Sequence, residues 1–85
     1  MITFMYTIKS PVGLHARHAG LLVKETSRYQ SDVTVSKGDK TANGKGILSL
    51  MGLGVRQGDV IEITLDGPDE QAAAPRLKAF LWTNF

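Results

Sequence analysis

Only two histidines occur in this chain of 85 residues, and they flank an arginine in the stretch Gly13-Leu14-His15-Ala16-Arg17-His18-Ala19. No cysteine is present, which excludes thiol nucleophiles, disulfides, zinc–thiolate sites and iron–sulfur clusters. Side-chain covalent chemistry therefore falls to imidazole. His15 stands where a loop punctuated by Pro11 and Gly13 passes into a helical pattern, which puts it at or beside a helix N-cap. There the unpaired first-turn N–H groups and the positive end of the helix dipole face the ring and favour its neutral form. A neutral imidazole can attack phosphorus. Once phosphorylated it carries about two negative charges at neutral pH. The same helix start is an anion site, and Arg17 can add charge-assisted hydrogen bonds to it. A histidine that only caps a helix, or sits half-buried, would occupy the same position. The residues around His15 leave both readings open.

The elements that would position this stretch are legible from periodicity. Ile2, Phe4, Tyr6 and Ile8 alternate with Thr3, Met5 and Thr7, a strand with one face on a core. From Ala16 to about Arg28, the spacing of Ala19, Leu22, Val23 and Thr26 predicts a helix with Lys24, Glu25 and Arg28 toward water. Gly20 weakens that helix by about 1 kcal/mol relative to alanine. It fits either the close approach of another surface or loose packing. Val33 and Val35 belong to a second strand, Gly38-Asp39 is a two-residue hairpin turn, and Thr41 to Asn43 returns as a third. The glycine-bounded stretch Lys45 to Leu53 has room for one or two helical turns. Val60 to Leu65 is a fourth strand, after which Asp69 and Glu70 suit the first turn of a last helix carrying Ala73, Leu77, Phe80 and Leu81 on one face. Pro75 should kink that helix or delay its start. The order β-α-β-β-α-β-α predicts an α+β open-faced sandwich, a four-stranded antiparallel sheet with helices on one face.

Composition bounds what such a domain does. A hydrophobic share of 42% with 21% charged residues is that of one folded domain over residues 1–85, not of a disordered tail. Met1 to Ile8 lacks the features of a signal peptide, and the apolar runs fall short of the roughly 18 residues that a membrane span requires. Neither export nor membrane insertion is expected. A net charge of +2 gives little counterion release, so nucleic acid is not an expected partner. Gly38 to Gly46 imitates a P-loop, but its glycine spacing is too long and no Ser or Thr follows Lys45. No nucleotide cofactor is assigned. The pair His15 and His18 lacks the further ligands that a stable metal site needs, so no metal is assigned either.

Four stretches together carry a family resemblance: Gly13-Leu14-His15-Ala16-Arg17, Leu21-Leu22-Val23, Ser31-Asp32-Val33, and Lys45-Gly46-Ile47-Leu48-Ser49-Leu50-Met51-Gly52-Leu53-Gly54. The chain resembles, over essentially its whole length, the histidine-containing phosphocarrier (HPr) family of the bacterial phosphoenolpyruvate-dependent sugar phosphotransferase system. The resemblance implies a small cytoplasmic monomer that takes a phosphoryl group from enzyme I and passes it to sugar-specific enzyme IIA domains. It is then a stoichiometric carrier more than an independent enzyme. By the same resemblance the group rides on Nδ1 of His15, with Arg17 and the N–H groups of Ala16, Arg17 and His18 around it. Partners would dock on Gly20, Lys24, Lys45, Ile47, Leu48 and Met51, with Arg17, Lys24 and Lys45 gathered about the acceptor. The apolar members of that set could equally be core. A regulatory or nitrogen-branch paralogue acting by docking is the other reading.

Two positions depart from the family pattern. His18 stands where proline is usual, adding an N–H and a second titratable ring. It could strengthen phosphate binding, perturb His15 or loosen the turn. Gly46 occupies the place of the serine that a dedicated kinase modifies in many Gram-positive relatives. Glycine has no hydroxyl, so this regulatory serine is missing, and Ser49 is expected to be a solvated helix residue.

Overall fold

Alternation in the sequence becomes a sheet whose two faces differ sharply. In a computed structural model describing residues 1–85, the elements are β1 (Ile2–Thr7), α1 (Ala16–Thr26), β2 (Asp32–Lys37), β3 (Lys40–Asn43), α2 (Ile47–Gly52), β4 (Val60–Asp66) and α3 (Glu70–Asn84). The strands form one antiparallel sheet in the order β1-β4-β2-β3. Register puts Phe4 opposite Ile63, Tyr6 opposite Ile61, Val33 opposite Leu65 and Val35 opposite both Ile63 and Ala42. These residues share the inner face, where Leu22 of α1 and Leu77 and Leu81 of α3 are buried with them. Thr3, Met5, Glu62 and Asp32 point the other way and stay exposed. A slip of one residue would exchange the two sets, so burial fixes the register.

The first helix ends at Thr26, slightly before the expected limit. Its exit tightens into i to i−3 bonds, from the Arg28 N–H to the Glu25 carbonyl (3.1 Å) and from the Tyr29 N–H to the Thr26 carbonyl (3.1 Å). Such a turn is a common way to satisfy final carbonyls. Thr26 is fully buried, and its hydroxyl donates to the Gly44 carbonyl at 2.7 Å, tying α1 to the approach to α2. The last helix corrects the expectation of a delayed start. It begins at Glu70 and runs through Pro75. Pro75 and Gln71, whose carbonyl loses its helical donor, are both exposed. Water can serve that carbonyl while Ala73, Ala74, Leu77 and Leu81 pack inward.

Asp69 is the N-cap residue of α3, yet its carboxylate makes no cap bond. It accepts instead from the Gln30 N–H (2.8 Å), the Ser31 N–H (2.9 Å) and the Ser31 hydroxyl, joining the start of α3 to the start of β2. The Ser31 hydroxyl first, then the Gln30 N–H, hold its carboxyl below the ordinary range. A depressed folded-state value means that the contribution is complete above the unfolded value and is lost as pH falls through the folded one. Stability measured by urea midpoint should therefore decline once the pH drops below about 4. Asp69→Asn should flatten that decline and lower the midpoint at pH 7. An unchanged acid limb in the variant would remove Asp69 from this role.

Candidate functional site

The loop from Ile8 to His15 is pinned at every stage before it becomes a helix. Ile8 exchanges backbone bonds with the segment before β4, donating to the Asp59 carbonyl (2.9 Å) and accepting from the Gly58 N–H (2.8 Å). The N–H groups of Lys9 and Ser10 both reach the Phe85 backbone oxygen, at 2.6 and 2.8 Å. Leu14, buried, donates to the Val55 carbonyl at 3.2 Å. Gly13 has φ +62°, and a Cβ there would overlap the Val55 carbonyl oxygen. The loop that leads to His15 thus lies directly on the α2–β4 loop.

His15 is the N-cap residue of α1, in extended conformation. Its carbonyl receives the Ala19 N–H at 2.8 Å, while its side chain makes no cap bond and is exposed. The ring is therefore neither a cap nor core, and the alternative left open by the sequence is set aside. The N–H groups of Ala16, Arg17 and His18 have no backbone acceptor. The first turn of α1 contains no acidic residue to compete for an anion. Arg17 is exposed and forms no ion pair.

His18 forms the wall behind His15. The two rings meet edge to face with centroids 5.4 Å apart, and His18 meets Phe85 in the same way at 5.4 Å. Nδ1 of His18 is buried without a hydrogen-bond partner. Where a proline would offer only an aliphatic ring, His18 offers a backbone N–H and an aromatic ring packed against the His15 imidazole.

Three expected cations separate in space. Arg17 stays beside His15, but Lys24 lies in the last turn of the eleven-residue α1. At 1.5 Å per residue it is about 13 Å along the axis from His15. Lys45 points to that far end too, its Nζ donating to the Tyr29 carbonyl at 2.7 Å. The expected gathering of Arg17, Lys24 and Lys45 about His15 is corrected accordingly. Carbonyls left free at a helix end attract cations, and the exit of α1 is such an end.

The apolar residues of α2 divide cleanly. Leu50 is 0% exposed, whereas Ile47 is 42%, Leu48 84% and Met51 38% exposed. These three form an outward surface, with core packing left to Leu50. Met51 also borders an open depression of about 230 Å³ that includes His15, so the surface reaches that histidine. A Cβ on Gly20 would meet nothing within 4 Å, so nothing in this chain packs closely against it. Ser49 is exposed, as expected. Sequence spacing gave no sign of Arg56 or Phe85, since both arrive from distant segments. Arg56 borders the depression beside His15, and Phe85 backs His18.

A family model described as the PTS HPr component phosphorylation site matches residues 2–82. The phosphocarrier protein HPr of Mycoplasma genitalium is 42% identical over 85 residues, covering 99% of this chain and 97% of that protein. The crystal structure of HPr from Thermoanaerobacter tengcongensis superposes with a TM-score of 0.93 at 38% identity, covering 100% of this chain and 96% of that one. Crh of Bacillus subtilis, a catabolite repression protein whose crystal structure is a swapped dimer, aligns with a TM-score of 0.77 at 36% identity over 99% and 97% of the two chains. Helix, loop and sheet all fall within these matches, and the chain belongs to the HPr family of phosphocarrier proteins.

Proposed function

We propose that this protein accepts a phosphoryl group on Nδ1 of His15 from phospho-enzyme I and delivers it to enzyme IIA domains of sugar permeases in the cytoplasm. The observation that carries this reading is an exposed, unengaged imidazole at the head of α1, beside three free N–H groups and an unpaired arginine. The ring's lone pair attacks phosphorus as the bond to the donor breaks and its electron pair leaves with the donor. The N–H groups of Ala16, Arg17 and His18 and the Arg17 guanidinium then hold the phosphoryl oxygens. Transfer onward reverses these roles, with no cofactor or metal required.

Gly20, Lys24, Lys45, Ile47, Leu48 and Met51 serve as the docking surface, apolar on α2 and basic at the end of α1. Exposed apolar side chains including a flexible methionine suit several partners in turn. A single copy, folded as one unit over residues 1–85, is the working form in this reading. With Gly46 at the N-cap of α2, no hydroxyl is offered there to a serine kinase.

Incubation with phosphoenolpyruvate and enzyme I should give one acid-labile phosphoryl group per chain, which an enzyme IIA domain then removes. No adduct would overturn the reading. An adduct that no enzyme IIA accepts would favour regulation by docking, the role suggested by the likeness to Crh.

A further inference from the structure

We infer that Arg56, on the loop between α2 and β4, is a second phosphate-binding arginine that closes on the phosphoryl group of His15. This rests on the proposal that His15 is the acceptor. Three observations bring the residue there. Arg56 borders the same depression of about 230 Å³ as His15. The loop that carries it is fixed against the acceptor loop by the Leu14 to Val55 hydrogen bond (3.2 Å) and by the close passage of Gly13 over Val55 and the Arg56 Cα. Its guanidinium, finally, has no ion-pair partner.

The nearby acid is already engaged elsewhere. Asp59 accepts the Arg56 backbone N–H at 2.8 Å and pairs with Lys37 Nζ at 3.0 Å. The Arg56 N–H first, and Lys37 next, keep that carboxyl below the ordinary range, so it remains charged and bound to those partners at neutral pH. The Arg56 guanidinium adds a smaller effect on Asp59 through its charge alone, so this side chain is exposed and makes no ion pair of its own before a dianion appears on the neighbouring imidazole. A guanidinium can then offer two parallel N–H donors to phosphoryl oxygens. Arg17 reaches the same group from α1, so the phosphoryl lies between two arginines drawn from separate segments of the fold.

The test uses the protein phosphorylated with phosphoenolpyruvate and enzyme I and follows the phosphohistidine by 31P NMR. Arg56→Ala should still be phosphorylated at His15. It should move the 31P resonance and raise the titration midpoint of the phosphoryl group by about half a pH unit, because a nearby cation favours the dianion. Arg56→Lys should restore part of the midpoint but not the resonance position, since an ammonium cannot form the bidentate pair. Arg28→Ala, at an arginine already paired with Glu25 (3.3 Å), should change neither. If Arg56→Ala forms the adduct with resonance and midpoint unmoved, the inference is overturned and the acceptor assignment survives. If the unaltered protein forms no adduct, both fall together.

Discussion

Replacing His15 by alanine leaves a folded protein that takes up no phosphoryl group. The expected loss is complete within detection, because no other side chain can take over. His18 is the one remaining histidine, and its Nδ1 is buried. The chain contains no cysteine. Stability should hardly move, since the His15 side chain makes no cap bond and is exposed. Losing a residue that was not capping costs below about 0.5 kcal/mol. That corresponds to less than about 4 °C in melting temperature for a domain of this size. Enzyme I with labelled phosphoenolpyruvate measures uptake, and circular dichroism on the same sample measures melting. An adduct in His15→Ala at the yield of the unaltered protein would remove His15 from the acceptor role. A fall of ten degrees or more would instead show that the ring supports the helix start.

The parts of this site that could be read from the sequence are those that local spacing controls. The strands follow a period of two, α1 a period of 3.6, and His15 sits at a boundary between loop and helix that glycine and proline announce. What escaped was set by the path of the chain through space. Arg56 borders the depression beside His15 only because Gly13 lets two loops pass within contact distance, and Phe85 backs His18 only because the end of α3 is held at the exit of β1. Lys45 follows the same rule in reverse. It is expected to gather about His15, yet its ammonium is drawn to the free Tyr29 carbonyl beyond the far end of α1. Pro75 does not delay the start of α3, for another reason. The cost of an interior proline depends on whether the carbonyl it leaves unpaired can find water, and exposed Gln71 allows that.

Gly13→Ala should be the most damaging small substitution near His15, and Gly38→Ala shows why. Both glycines hold positive φ, +62° and +60°, so an alanine at either costs about 1–2 kcal/mol from the left-handed conformation alone. At Gly38, in the β2–β3 turn, the added Cβ meets nothing within 4 Å, and the loss ends there. At Gly13 it overlaps the Val55 carbonyl oxygen, the acceptor of the Leu14 N–H. The two loops must separate, forfeiting a hydrogen bond worth about 1 kcal/mol and loosening the packing of buried Leu14. A total near 3 kcal/mol corresponds to a melting temperature lower by roughly 12–24 °C. Because the same contact sets the distance between His15 and the α2–β4 loop, phosphoryl transfer should also slow by about tenfold or more. Gly38→Ala should lose only its turn strain and transfer at the normal rate. Equal melting temperatures and equal transfer rates for the two variants would show that the loop contact positions nothing. A transfer defect confined to Gly13→Ala would place the control of His15 in the junction of these two loops.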